Sequence, residues 1–188
     1  MPLDSGPDIR ALLEETKTIA LVGASANPAR DSHEVMAFLQ RQGYRVIPVN
    51  PGLAGQQLLG ETVVARLAEV EDPIDMVDIF RNSQAAGGVV DEAIAAEAKA
   101  VWMQLGVISP EAEQIAKDAG LTVVMNRCPK IEHGRFSGEI GWTGVNSRTI
   151  SAKRPQRLTL LGHFLGGRGR IAAQQARGLG QVGGQPGG

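Results

Sequence analysis

Short apolar runs alternate with longer amphipathic segments along residues 1–125 of this 188-residue chain. The apolar runs are rich in Val, Ile and Leu and carry little charge, which is typical of strands in a parallel sheet covered on both faces. The pattern predicts five strands: Thr18–Val22, Arg45–Val49, Met76–Phe80, Ala100–Met103 and Leu121–Met125.

The segments between these strands have helical spacing. They predict four helices: Asp8–Thr16, His33–Gln42, Ala86–Lys99 and Glu111–Ala119. Ser32 and Ser109 are the expected N-caps of the second and fourth helices, and His133 is expected in a loop after the last strand. The alternation predicts an α/β fold of the Rossmann-like, doubly wound type, with a mainly parallel five-stranded sheet and helices on both faces.

Charge divides the chain into two parts, although the formal net charge is only −1. Residues 148–188 contain seven basic and no acidic residues, so residues 1–147 hold 12 basic and 20 acidic residues and a formal charge of −8. We therefore predict one domain over residues 1–147 and a basic, Gly-rich, flexible C-terminal tail over residues 148–188. The tail charges are sparse, which argues against nucleic acid as a partner.

Composition also indicates a compartment. Cys128 is the single cysteine, so no internal disulfide framework is available. No apolar run reaches transmembrane length, and the N-terminus lacks a signal-peptide pattern. These features predict a cytoplasmic protein without membrane attachment, and they leave the oligomeric state undefined.

The turn after the first strand carries the first candidate chemistry. Gly23 permits a sharp turn, and the small residues Ala24 and Ser25 let a ligand approach the backbone closely. A helix begins a few residues later, so its N–H groups and dipole favour a pyrophosphate here. Arg30 adds positive charge just beyond the turn.

Parallel strands end at the same edge of a sheet, so the residues that follow the other strands are candidates too. They provide amide, basic and aromatic groups, which suit a phosphorylated ligand with an aromatic base. These residues are Asn50 and Pro51, Phe80 and Arg81, Gln104 and Gly106, and Asn126, Arg127 and Cys128.

A strict dinucleotide fingerprint is absent. In a G-x-G-x-x-G pattern that starts at Gly23, Ser25 and Pro28 occupy the second and third glycine positions. NAD-binding proteins also carry an acidic residue at the end of the second strand, where this chain has Asn50. A Rossmann-type enzyme that uses NAD(P) or a sugar nucleotide is therefore the alternative hypothesis.

Five motifs in the expected order resemble the stand-alone coenzyme A-binding domain proteins, which resemble the CoA-binding domain of the succinyl-CoA ligase alpha subunit. The motifs are Val22-Gly23-Ala24-Ser25 with Pro28 and Arg30, Val49-Asn50-Pro51, Asp78-Ile79-Phe80-Arg81, Trp102-Met103-Gln104-Leu105-Gly106 and Asn126-Arg127-Cys128-Pro129. The resemblance covers about Ile9 to Phe136. It implies a Rossmann-like fold that binds CoA or a short acyl-CoA without established catalytic activity.

The resemblance also implies a role for each site residue. Gly23, Ala24, Ser25, Arg30 and Ser32 would contact the CoA phosphates, with Pro28 in the same turn. Asn50, Pro51, Phe80 and Arg81 would lie near the adenine end, and Gln104, Gly106, Asn126, Arg127 and Cys128 along the pantetheine arm.

Few residues suggest catalysis. A Cys128 thiol with a pKa lowered by Arg127 would be able to form a mixed disulfide with CoA, but no base accompanies it, so an inert, partly buried thiol is the favoured interpretation. Asp78 is expected to be a cap or a solvated carboxylate, and Trp102 a core residue. The histidines lack metal-ligand spacing. We therefore expect no catalytic or metal site, and favour a non-catalytic or regulatory CoA-binding module.

Overall fold

The computed structural model describes residues 6–136, which form a main five-stranded sheet between two layers of helices and a small antiparallel pair of two strands, Gln57–Leu58 and Glu61–Thr62. The predicted tail at residues 148–188 lies outside the described residues. The helices are α1 (Gly6–Glu15), α2 (Asp31–Arg41), α3 (Ala86–Ala95), α4 (Pro110–Asp118) and α5 (Pro129–Phe136). The strands are β1 (Thr18–Val22), β2 (Arg45–Val49), β3 (Gln57–Leu58), β4 (Glu61–Thr62), β5 (Met76–Ile79), β6 (Ala100–Met103) and β7 (Thr122–Val124).

Five strands form the main sheet, in the order β2-β1-β5-β6-β7, and every neighbouring pair is parallel. The chain passes from β1 to β2 on one side, and then crosses back to β5 on the other side of β1. This reversal opens a crevice at the carboxyl ends of β1 and β5, where open α/β sheets bind ligands. The predicted Rossmann-like fold is confirmed.

Each face of the sheet has its own apolar cluster. On one face, β5 and β6 side chains such as Val77 and Val101 pack against α3 and α4. On the other face, Leu21 and Trp102 pack with residues of α1, α2 and α5, including Met36. Trp102 is fully buried, so its predicted core role is confirmed. Its indole N–H donates to the carbonyl oxygen of Arg127 at 2.8 Å, which satisfies the buried polar atom.

Apart from the start of α3, the helix boundaries differ from the prediction by one to four residues, and two of the differences have a local cause. The predicted Ser32 cap is wrong, because α2 begins at Asp31 after an extended Arg30 that makes no side-chain cap, and Ser32 lies buried in the first turn. α3 ends at Ala95 rather than at Lys99, because Glu97 adopts a φ of 54° and reverses the chain. The Ser109 cap is confirmed, since its side chain accepts from the N–H of Ala112 at 3.3 Å.

The last helix is absent from the prediction. α5 contains His133, which was expected in a loop. The sequence of this helix lacks a regular apolar face and contains Gly134, which lowers helix propensity. Pro129 at the first helical position was the available signal, because proline is favoured there.

Candidate nucleotide-binding site

Gly23 forms the turn at the end of β1 in a conformation that requires glycine. Its φ is +93°, and a Cβ built at this position would lie 3.1 Å from the carbonyl oxygen of Phe80. Its N–H donates to the carbonyl oxygen of Val49 at 3.0 Å, which ties the turn to the end of β2. The close approach of β1, β2 and β5 at this point therefore depends on a missing side chain.

The segment between Gly23 and α2 leaves backbone donors available. Asn27 shapes it by donating its N–H to Ser25 Oγ at 3.2 Å and by accepting from the N–H of Ala29 at 2.9 Å. The N–H groups of Ser25, Ala26 and Ser32 donate to no acceptor within residues 6–136. Three free donors beside a helix N-terminus form an anion-binding arrangement.

Ser32 adds a side-chain donor to this arrangement. The residue is only 5% exposed, and it lines the cleft beside the turn. Its hydroxyl bonds to none of the groups that the structure describes. The hydroxyl of such a mostly buried residue, accessible from the cleft, gains a hydrogen bond when an acceptor such as a phosphate oxygen enters.

We call the space beside this turn the α2 cleft; it has a volume of about 590 Å³. It is lined by Gly23, Ala24, Ser25, Ala26, Asn27, Arg30, Asp31, Ser32, Asn50, Gly52, Leu53, Phe80 and Arg81. Arg30 and Arg81 form no ion pair with any described acidic residue. Asp31 is the only acidic residue in this lining, so the charge favours an anionic ligand.

A second space, the α3 cleft, opens on the other side of the Gly23 turn. Its volume is about 400 Å³, and Gly23 and Arg81 line both clefts. The lining residues are Val22, Gly23, Val49, Pro51, Ala65, Arg81, Gln84, Ala85, Gly88, Val89 and Glu92. Apolar walls with a few polar groups at the rim suit a planar organic group such as a nucleobase.

Asn50 holds the borders of the α2 cleft together. Its Nδ2 donates to the carbonyl oxygen of Ala24 at 2.7 Å, and its Oδ1 accepts from the N–H of Gly52 at 2.8 Å. The amide therefore joins the β1–α2 turn to the loop after β2. It leaves no carboxylate at the place where NAD-binding proteins hold the ribose hydroxyls.

The structure brings only part of the predicted site together. Pro51 lines the α3 cleft, while Pro28 lies in the turn and lines neither cleft. The predicted residues after β6 and β7 also line neither cleft; these are Gln104, Gly106, Asn126, Arg127 and Cys128.

Polar groups after β6 and β7 are bonded to each other. Asn126, at a φ of +56°, accepts from the N–H of Gly106 at 2.9 Å. Arg127 lies 3.3 Å from the buried carboxylate of Glu132, which Arg135 also contacts. These bonds fix the loops, and the pantetheine path along them stays a prediction.

Asp78 differs from the expected solvated carboxylate or cap. It is fully buried, and both its oxygens accept from Gln104 Nε2, at 2.9 and 3.1 Å. Burial raises the pKa of Asp78 from 3.8 to about 8, against the smaller effect of the Gln104 hydrogen bond. Gln104 therefore serves a buried carboxyl group rather than either cleft.

Cys128 is not an activated thiol. It is 3% exposed, and burial raises its pKa to about 11. The proposed lowering by Arg127 does not occur, because the Arg127 guanidinium is paired with Glu132. The favoured interpretation, an inert buried thiol, agrees with this environment.

Two further properties apply to residues 6–136. No helix in this range is long and apolar enough to cross a membrane. No group of three or more His, Cys, Asp or Glu side chains in the same range is arranged to hold a metal ion.

Several residues that line the clefts were not predicted. Asn27, Gly52 and Leu53 border the α2 cleft, and Gln84 and Glu92 border the α3 cleft. Gly88 also borders the α3 cleft, and the sequence holds a signal for it. A glycine inside a helix costs about 1 kcal/mol relative to alanine, so its presence there indicates a position with a special role. A Cβ at Gly88 would meet no atom within 4 Å, in agreement with an open cleft beside it.

The parallel sheet, the glycine turn and the cleft at the strand ends define a protein with a Rossmann-type fold, an architecture in which ligands bind at this edge of the sheet. Residues 17–134 match the CoA binding domain family. The chain belongs to this family.

Three known proteins are similar to this chain over more than half of its length. An uncharacterised Bacillus subtilis (strain 168) protein, YneT, is 40% identical over 129 residues, which are 69% of this chain and 94% of YneT. A hypothetical protein from Pyrococcus horikoshii OT3 is 40% identical with a TM-score of 0.69, covering 73% of this chain and 97% of that one. A dinucleotide-forming acetyl-coenzyme A synthetase from Ca. Korarchaeum cryptofilum is 26% identical with a TM-score of 0.51, covering 58% of this chain and 26% of the enzyme.

Proposed function

We propose that this protein binds coenzyme A, or a short acyl-CoA, across the α2 and α3 clefts. The observation that carries the proposal is the set of donors at the start of α2, the N–H groups of Ser25, Ala26 and Ser32, which bond to no group in the described part of the chain. Arg30 and Arg81 line the same cleft, and neither forms an ion pair with a described acidic residue. These groups suit the pyrophosphate of CoA. Membership of the CoA binding domain family and likeness to an acetyl-coenzyme A synthetase support the same ligand.

The two clefts divide the ligand between them. The pyrophosphate lies in the α2 cleft against the helix N-terminus, and the adenine lies in the α3 cleft between apolar walls such as Val49 and Val89. The pantetheine arm leaves the α2 cleft toward the loops after β6 and β7. The arm then ends near the Gln104 and Asn126 side chains, which already bond to Asp78 and to the N–H of Gly106.

We infer a binding or regulatory role rather than catalysis. Asp78, Cys128 and His133 line neither cleft. Asp78 and Cys128 are buried, and His133 Nε2 lies 2.7 Å from the hydroxyl of Tyr44 between α5 and the start of β2. Asp31 and Glu92 place carboxylates at the clefts, but among the described lining residues no imidazole or thiol faces a ligand, which supports binding rather than acid–base or nucleophilic chemistry.

Calorimetric titration of the full chain with CoA, NAD and NADP tests the proposal. CoA is expected to bind and the two nicotinamide dinucleotides are not. Binding of NAD or NADP without binding of CoA would overturn the proposal in favour of a Rossmann-type enzyme.

A matched pair of variants locates the interaction. Arg30→Ala removes a charge at the start of α2, and Arg41→Ala removes the same charge at the exposed end of the same helix. Arg30→Ala should weaken CoA binding by about 1–3 kcal/mol, and Arg41→Ala should leave it unchanged. Equal losses in the two variants would indicate general electrostatic attraction and contradict a site at the α2 turn.

A further inference from the structure

Arg81 occupies a distinct position, because it is one of two residues that line both clefts. Gly23 is the other residue shared by the two linings, and it has no side chain to offer a ligand. Arg81 is exposed, and it forms no ion pair with the acidic residues of the described range. A cation that pairs with no acidic group of residues 6–136 therefore lies at the boundary between the clefts.

The backbone that carries Arg81 is fixed on both sides. Before it, the N–H of Phe80 donates to the carbonyl oxygen of Val22 at 2.8 Å. After it, the Asn82 side chain accepts from the N–H of Ala85 at 2.9 Å and caps a short 3-10 turn. The position of the arginine Cα is therefore defined by the fold, and only its flexible side chain has to adjust to a ligand.

A nucleotide that fills both clefts must place its ribose at this boundary. Its phosphate chain lies against the start of α2 and its base against α3, so the sugar passes over Gly23 beside Arg81. A phosphate group on that ribose would then meet a guanidinium, whose planar fork of N–H donors matches phosphate oxygens.

We propose that Arg81 is the specificity-determining residue for the ribose phosphate, so that the site prefers CoA to dephospho-CoA. This inference rests on the proposed function. The two arginines then act on different parts of the ligand: Arg30 on the pyrophosphate and Arg81 on the phosphate of the sugar.

The test compares the affinities of the full chain for CoA and dephospho-CoA, which differ only in the ribose phosphate. Wild type is expected to bind CoA about 10-fold or more tightly than dephospho-CoA, as a charge-assisted phosphate contact provides. Arg81→Ala should bring the two dissociation constants to within about 3-fold, mainly by weakening CoA. Arg30→Ala should weaken both ligands and keep their ratio.

Two results would overturn the inference while the proposed function stands: equal binding of both ligands by wild type, or an Arg81→Ala variant that keeps the wild-type ratio. Failure of wild type to bind either ligand would overturn the proposed function as well. Thermal unfolding of each variant confirms that it is folded, which is expected because both arginines are exposed.

Discussion

Gly23 is the residue on which the shape of both clefts depends. Replacing it by alanine introduces a Cβ 3.1 Å from the carbonyl oxygen of Phe80 in a backbone with φ of +93°. Gly43 provides a control, because its φ is +95° but a Cβ there would meet no atom within 4 Å. Gly43→Ala should lose about 1–2 kcal/mol of unfolding free energy from backbone strain alone.

Gly23→Ala should lose more stability than the control, because Phe80 must also shift, and it should weaken CoA binding while Gly43→Ala does not. Urea unfolding and calorimetry measure the two effects. Equal stability losses with intact CoA binding in both variants would show that the turn is not closely packed against β5.

Asp78 makes a pH-dependent contribution to stability. Its pKa is about 8 in the folded protein and near 3.8 when the chain is unfolded, so the folded state binds the extra proton between these values. The free energy of unfolding should therefore fall as pH rises from about 4 to about 8.

Asp78→Asn removes this titration and keeps the size of the side chain. The stability difference between wild type and the variant, followed by urea unfolding across this pH range, should move steadily in favour of the variant as pH rises. A difference that does not change with pH would show that Asp78 is ionised in the folded protein. Asp75 and His133 also have lowered pKa values, the latter because of burial. Both groups are present in wild type and in the variant, so their contributions cancel in the stability difference.

At the scale of elements, Asn50 couples the β1–α2 turn to the loop after β2. Asn50→Ala removes the bonds to Ala24 and Gly52, so the α2 cleft should lose its fixed shape and CoA binding should weaken by about 1 kcal/mol or more. Gln57→Ala is the control, because the Gln57 amide also bonds locally, to Thr62, but borders neither cleft.

Calorimetry of these two variants measures the difference. Loss of CoA affinity only in Asn50→Ala supports the coupling. An Asn50→Ala variant that binds CoA as tightly as wild type would show that the turn keeps its shape without this amide.

The sheet was predictable from sequence because apolar runs such as β1 and β6 indicate burial on both faces of the sheet. α5 was not, because tertiary contacts to α1 and α2, rather than an apolar periodicity, stabilise a helix that contains Gly134. Lys130, for example, pairs with Glu34 of α2 at 2.6 Å, across 96 residues of sequence.

The candidate site was predictable in its position but not in its bonding. Strand-end residues share one edge by topology, so Gly23, Arg30 and Arg81 could be assigned together. A side-chain amide at a strand end can bind a ligand only if no other residue of the protein already bonds to it. Asn50 bonds to Ala24 and Gln104 bonds to Asp78, and both partners are distant in the chain. Sequence patterns do not record such pairings.

At the scale of the whole molecule, the lining residues that the structure describes all lie between Val22 and Glu92. Deleting residues 156–188 leaves each of these residues in place, so the CoA affinity should stay within about 2-fold of wild type. Calorimetry of the shortened chain at matched salt measures this. A loss of 10-fold or more would show that the basic segment takes part in binding.

The crystal structure of the full chain with CoA tests the central claim most directly. The pyrophosphate should lie within hydrogen-bond distance of the N–H groups of Ser25 and Ser32, and the adenine should lie in the α3 cleft beside Val89. CoA bound at another surface, with both clefts empty, would contradict this claim.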